Sequence, residues 1–126
     1  MRLDIINTTQ GPAPVSPLKL KKWLSSEFAL RRRADNYFIE VYWVGESKIR
    51  QLNRRYRGED RVADVLSFPV EIRDIRQSPS KPLGTIVLCL PVVTKQAARN
   101  GTTVEQETEL LVRHSAKHLI GIHHKE

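Results

Sequence analysis

All four histidines of this chain lie within its last thirteen residues, which read HSAKHLIGIHHKE. His114 and His118 are four residues apart, so on a helix their imidazoles project from one face, one turn from each other. Gly121 follows at a position where a glycine can adopt the left-handed conformation that ends a helix and turns the chain. His124 would then return to the same point. The spacing predicts three histidine ligands for one metal ion.

Three neutral imidazoles suit zinc and leave its fourth coordination position open for water. The pKa of that water falls to about 7, so hydrolytic chemistry is the expected use of such a site. Metalloproteases with this histidine spacing carry a glutamate directly after the first histidine as general base. Ser115 holds that position here and cannot accept a proton near neutral pH, which argues against peptide hydrolysis. A metal buffer or a chance cluster of histidines is the alternative interpretation.

Hydrophobic patterning predicts the elements that must position these residues. Strands are expected at 2–7, 37–45, 63–70 and 83–91, and helices at about 17–33, 46–57, 92–99 and 104–119, with a loop at 70–82. This order favours one sheet with helices packed on it, of the α+β or α/β kind. We expect an α+β fold with a single mixed β-sheet of about four strands, about four helices and the zinc site at its C-terminal end.

Local signals mark where the predicted helices begin and end. Ser16 and Pro17 supply an N-cap and a proline at the first helical position. Gly58 and the pair Asn100-Gly101 are favoured C-terminal stops. Before the last helix, Thr102 or Thr103 can form a capping box with Glu105 or Gln106.

Length and composition limit the class of protein. At 126 residues the chain is expected to form one domain over 1–126, and its net charge of +7 favours a polyanionic partner. The start of the chain lacks a secretory-signal pattern, and no apolar run approaches the length that spans a bilayer. Cys89, the lone cysteine, lies in an apolar run and is expected to be a buried thiol, which fits a reducing cytoplasm.

Three further kinds of residue are candidates for structural roles. Trp23 and Trp43 lie on apolar stripes and are expected in the core. Alternation along the strand at 63–70 places Asp64 on the same face as Leu66 and Phe68, and Ser67 on the opposite face. We expect Asp64 to cap the preceding turn or to orient a site residue, with the structural role favoured.

The C-terminal segment resembles the signature of the YbeY family of zinc-dependent endoribonucleases, also called rRNA maturation factors. That signature runs His-Gly-x-Leu-His-Leu-x-Gly-x-Asp-His, and residues 114–124 keep its three histidines, its second leucine and its glycine. LNRRYRGEDRVADVLSFP, at 52–69, resembles the family segment that runs from Leu-Asn-x2-Tyr/Phe-Arg into Thr-Asp-Val-Leu-Ser-Phe-Pro. LGTIVLC, at 83–89, resembles the family strand Leu-Gly-Asp-Ile.

The resemblance implies one Zn²⁺ per chain, held by His114, His118 and His124, and it matches Arg57 to the functionally important arginine of the family. It also implies single-stranded RNA rather than DNA as substrate, particularly the 3′ end of a 16S-type rRNA, with roles in rRNA maturation and ribosome quality control. The small ribosomal subunit is the implied partner. The implied fold is an α+β sheet surrounded by helices, with a zinc cleft lined by basic residues.

Five positions depart from the family pattern: Ser115, Lys117, His123, Ala63 and Thr85. Thr85 and His123 replace aspartates, so the imidazoles are expected to lack hydrogen-bond partners that would fix their tautomers. His123 also offers a second register for the third ligand, and the family register selects His124.

The leading hypothesis is therefore metal-dependent cleavage of an RNA phosphodiester bond, with Arg57 neutralising charge that builds on the phosphorus. One alternative is a non-catalytic, zinc-containing module that binds RNA or the ribosome, with its function carried by the positive charge. Another is a metal-dependent hydrolase with a different substrate.

Replacing each histidine by alanine tests this ligand set. We expect one zinc per chain in the wild-type protein, lost in the variants of His114, His118 and His124 and kept in His123→Ala. Elemental analysis of tag-free protein gives the metal-to-protein ratio. Absence of bound metal after zinc is supplied to the wild type at neutral pH would contradict the prediction.

Overall fold

The computed structural model describes residues 2–30, 38–69 and 84–124, with side chains through residue 28 in the first range and through residue 119 in the last. The predicted loop at 70–82 and the predicted end of the first helix near residue 33 lie outside these ranges. Within them the elements are β1 (Arg2–Asn7), α1 (Pro17–Leu30), β2 (Phe38–Val44), α2 (Glu46–Arg57), β3 (Val65–Phe68), β4 (Gly84–Cys89), α3 (Leu90–Asn100) and α4 (Val104–His124).

The strands form one mixed sheet in the order β1-β2-β4-β3. Strands β1, β2 and β4 run parallel to one another, and β3 pairs antiparallel to β4 at the edge. Four strands and four helices in the described part of the chain confirm the expected α+β fold with a mixed sheet.

Every residue of β2 and β4 is buried, because helices cover both faces of the sheet. On one face, Val41 and Trp43 pack with Trp23 of α1 and with residues of α4. On the other face, the strand side chains pack with Ile49 and Leu52 of α2. Trp23 and Trp43 are thus core residues, as predicted, and Cys89 is a buried thiol.

Capping interactions confirm several of the predicted helix ends. The Ser16 hydroxyl accepts a hydrogen bond from the Lys19 amide at 3.3 Å, and α1 begins at Pro17. Gly58, directly after α2, adopts the left-handed conformation with φ 73°. Thr103 and Gln106 form a reciprocal capping box, in which each side chain accepts a hydrogen bond from the other residue's amide.

The prediction that α4 ends near Leu119 and that the chain turns at Gly121 is wrong. The helix continues through Gly121 to His124. A glycine inside a helix costs only about 1 kcal/mol relative to alanine, and no proline follows to stop propagation. Along a continuous helix, His124 lies about 15 Å from His114 in the axial direction.

Side-chain contacts hold α4 against α1 and the sheet. Arg113 donates to Glu27 of α1 at 3.0 Å and to Glu109 at 2.9 Å, and Glu27 is buried. Val112 and Leu119 of α4 are fully buried in the core. Among the described residues, no helix combines the length and apolar character required to cross a membrane.

Gly84 lets α4 approach the sheet closely. A Cβ atom at this position would lie 2.5 Å from Leu119 Cδ2 and 2.9 Å from the carbonyl oxygen of Phe68. The backbone oxygen belongs to the adjacent strand and cannot rotate away. Close approach of α4 therefore depends on the absence of a side chain at residue 84.

We expect Gly84→Ala to lower the free energy of unfolding by about 1–3 kcal/mol through overpacking. Urea denaturation gives this value. Gly45→Ala is the control, because a Cβ there meets no atom within 4 Å, and it should cost less than about 1 kcal/mol. Equal destabilisation by the two substitutions would contradict the packing argument.

Candidate active site

A cleft of about 640 Å³ opens where the end of α2, strand β3 and helix α4 meet. Its described lining residues are Tyr56, Arg57, Asp64, Val65, Ser67, Phe68, Leu111, His114, Ser115 and His118. Three of the four residues predicted to act at the site, Arg57, His114 and His118, line this one cleft.

His114 and His118 lie one turn apart on α4, as their spacing predicts, and both are exposed. They reach the cleft because the opposite side of α4 is apolar and is buried against α1 and the sheet. Ala116 and Leu119, which share the helix segment with the histidines, are fully buried. The amphipathic pattern of the helix therefore sets the direction of both imidazoles.

Ser67 holds the ring of His118. Its Oγ lies 2.7 Å from His118 Nδ1, within hydrogen-bond distance. Ser67 faces α4 because side chains alternate along β3, and its neighbours Leu66 and Phe68 are buried on the other face, as predicted. With Nδ1 engaged by the hydroxyl, Nε2 is the ring nitrogen left for other ligands.

The pKa of His118 is lowered from its usual value by burial, by the charge of His114 and by the charge of Arg57, in that order. The neutral imidazole is consequently favoured near pH 7, and this is the form that binds metals or accepts a proton. Because the folded protein disfavours the protonated ring, His118 contributes to a loss of stability as the pH falls through its unfolded value of about 6.5.

Arg57 is the last residue of α2 and enters the cleft just before the turn at Gly58. None of the ion pairs between described residues involves Arg57, so its guanidinium is available to an anion. Asn53 holds the chain that follows α2 in place. Its side-chain amide donates to the backbone carbonyl of Arg61 at 3.0 Å, and its backbone carbonyl accepts from the Glu59 amide at 3.3 Å.

Asp64 fixes the start of β3 at the cleft. One carboxylate oxygen accepts from the Val65 amide at 2.7 Å, and the other accepts from the Gln96 side chain of α3 at 3.2 Å. The Asp64 carbonyl also accepts from the Cys89 amide at 2.9 Å. These bonds are in line with the structural role favoured for Asp64, although the residue also lines the cleft.

Residues 6–126 match the family described as Endoribonuclease YbeY. A match over nearly the whole chain agrees with the three sequence segments that resemble the family. The chain belongs to the YbeY family.

Named relatives show the extent of this similarity. A protein of Stutzerimonas stutzeri named Endoribonuclease YbeY is 36% identical over 127 residues, covering 100% of this chain and 76% of the relative. One of Pseudomonas putida with the same name is 35% identical over 127 residues, covering 100% and 78%. The solution structure of TM1509 from Thermotoga maritima matches with a TM-score of 0.57 and 28% identity, covering 93% of this chain and 71% of that one.

Two of the positions that depart from the YbeY family pattern, Ser115 and Thr85, differ in their surroundings. Ser115 is buried and lines the cleft between the two histidines. Thr85 is fully buried in β4, in register with the buried Glu40 of β2, and is not among the described residues of the cleft. The position of the family aspartate therefore lies in the sheet interior in this chain, and among the described residues Ser67 contacts the imidazole of His118.

Two of the three histidines expected to bind zinc have described side chains, and both lie in the cleft. His114 and His118 share the cleft, whereas the side chains of His123 and His124 lie outside the described part of the chain. No group of three metal-binding side chains occurs among those that the structure describes. For His124 to join the other two histidines, the last turn of α4 must leave the helical conformation.

The sequence did not identify Ser67, Asn53 or Gln96 as partners of the site. The alternation of β3 places Ser67 opposite the core face, but nothing local indicates that α4 covers that face. Asn53 lies in the Leu-Asn segment that resembles the family, and that resemblance was the available signal. Gln96 lies in a helix whose position relative to β3 depends on the whole fold.

Ser67→Ala should release the ring of His118. In the metal-free protein we expect the ¹⁵N shifts of its two ring nitrogens to move, because the hydrogen bond that biases the tautomer is lost. Metal affinity should fall about 10- to 100-fold. Ser25→Ala, on the exposed surface of α1, is the matched control, and unchanged His118 shifts in Ser67→Ala would contradict the assigned role.

Proposed function

We propose that this protein is a zinc-dependent endoribonuclease that cleaves single-stranded RNA. The observation that carries the proposal is the convergence in one open cleft of an arginine without an ion-pair partner among the described residues and two imidazoles one helical turn apart. The endoribonuclease name of its YbeY relatives supports the same reaction class.

His114, His118 and His124 would hold the zinc ion. When bound, zinc would supply a Lewis acid for a phosphate oxygen and lower the pKa of a coordinated water. The chemistry of the donor set supports this assignment, since His118 favours its neutral form and has Nδ1 engaged by Ser67. With a metal on Nε2, Nδ1 would carry the proton and donate to the Ser67 oxygen.

Arg57 would bind the phosphate that is cleaved. Its planar guanidinium can donate two parallel hydrogen bonds to phosphate oxygens and offset the negative charge that builds during attack on phosphorus. Its position at the end of α2 allows this role, because Gly58 ends the helix there in the left-handed conformation. The fixed turn also limits the motion of the backbone that carries the guanidinium.

The natural substrate we propose is the 3′ end of a 16S-type rRNA, in the cytoplasm and in association with the small ribosomal subunit. Maturation of that end and ribosome quality control would be the resulting cellular roles. The net charge of +7 supports a polyanionic substrate of this kind.

Arg57→Ala and His114→Ala test the proposed reaction. We expect Arg57→Ala to slow cleavage of an end-labelled single-stranded RNA by about 10²–10³-fold through loss of charge stabilisation, and His114→Ala to abolish it. RNA binding should be largely retained in both variants. Arg99→Ala is a matched control, since Arg99 also lies exposed in the last turn of a helix.

Wild-type rates in both variants, measured with nuclease-free preparations, would show that the cleft does not cleave RNA. RNA binding without any cleavage by the zinc-loaded wild type would favour the non-catalytic binding module. The continuous helix at Gly121 is the observation that gives this alternative its weight, because it separates His124 from the other two histidines.

A further inference from the structure

Arg57 is one end of a row of arginines on α2. Arg50, Arg54 and Arg57 are spaced by four and three residues, so they lie on one stripe of the helix, over an axial length of about 10 Å. All three are exposed, because Ile49 and Leu52 direct the opposite side of α2 into the core. The stripe begins in the cleft and continues away from it along the surface.

A second hollow, of about 460 Å³, adjoins this stripe. Its described lining residues are Ser47, Arg50, Gln51 and Arg54. Two guanidiniums, a hydroxyl and an amide supply hydrogen-bond donors, and none of the four side chains is an anion. The surface there is suited to an anionic ligand that needs several donors.

The carboxylate of Asp60 already contacts two of these arginines. The Asp60 carboxylate accepts from Arg50 Nε at 2.9 Å and from Arg50 Nη2 at 3.4 Å, while Arg54 Nη1 lies 3.9 Å from it. This fork arrangement is the one by which arginine also binds phosphate. Because the side chains of Arg50 and Asp60 are about half exposed, at 55% and 51%, a phosphate can exchange with the carboxylate at little cost.

We propose that Arg57, Arg54 and Arg50 form a track for the phosphates of a single-stranded RNA that extends beyond the cleft, with Asp60 as the internal competitor for Arg50 and Arg54. The inference rests on the proposed function, since it gives the substrate strand its path out of the cleft. No aromatic side chain lines the hollow among the residues described there. Contacts to phosphates alone make the track indifferent to base sequence.

The test measures RNA affinity without cleavage, in the full chain carrying His114→Ala and in the presence of a chelator. Arg50→Ala combined with Arg54→Ala should weaken binding of an RNA of about 12 nucleotides by about tenfold or more. The slope of log affinity against log salt should become shallower by about 1.4, because two phosphate contacts are lost. Lys21→Ala combined with Lys22→Ala removes the same charge from exposed residues of α1, on the other face of the sheet, and should change both values much less.

Asp60→Asn should change RNA affinity in the opposite direction to the arginine double variant. Removing the competing carboxylate should tighten binding of the same RNA by about two- to fivefold, so the result cannot be attributed to unfolding. An RNA of about three nucleotides, which fills only the cleft, should bind the arginine double variant and Asp60→Asn as tightly as it binds the chain that carries His114→Ala alone.

Equal affinities of the arginine and lysine double variants for the longer RNA would overturn the track. Unchanged or weaker binding of the longer RNA by Asp60→Asn would also overturn it. So would a loss of affinity in the arginine double variant that is as large for the three-nucleotide RNA as for the longer one. These outcomes are independent of catalysis. Failure of the proposed function would appear instead as unaltered cleavage in Arg57→Ala and His114→Ala.

Discussion

Burial of β2 and β4 on both faces is the constraint on which the rest of the structure depends. Their side chains are mostly apolar on the two sides, so neither face of the sheet can remain in water. Helices α1 and α4 cover one face, and α2 covers the other. The candidate site forms at the edge of this arrangement, where the end of α2 and the exposed side of α4 meet beside the short strand β3.

The geometry of the described part of the site follows from that packing. Strand β3 alternates, so the residues that anchor it in the core leave Ser67 directed at α4, within hydrogen-bond distance of His118. Gly84 permits the close contact between Leu119 and the sheet. The imidazoles are therefore positioned by residues that also stabilise the fold, which limits their freedom before any ligand binds.

Electrostatics separate the cleft from the neighbouring surface of α2. Arg50 and Arg61 each have a carboxylate partner, whereas none of the described ion pairs includes Arg57. A cation that has no ion-pair partner among the described residues can attract phosphate, and its charge also disfavours protonation of His118. The same charge would serve the proposed RNA substrate and favours the neutral imidazole that the proposed zinc site requires.

Local chemistry was sufficient to predict most elements, the capping residues, the core tryptophans and the shared helix face of His114 and His118, because each depends on spacing within one short segment. Arg57 was matched through the family resemblance, and the fold brings it into the cleft with both histidines. Local chemistry failed at Gly121, where a modest helix penalty did not end α4. The strand order, the Ser67–His118 hydrogen bond and the Asp64–Gln96 contact arise only in the folded chain. Each joins elements distant in sequence, and their relative positions are set by how all the apolar faces are buried together.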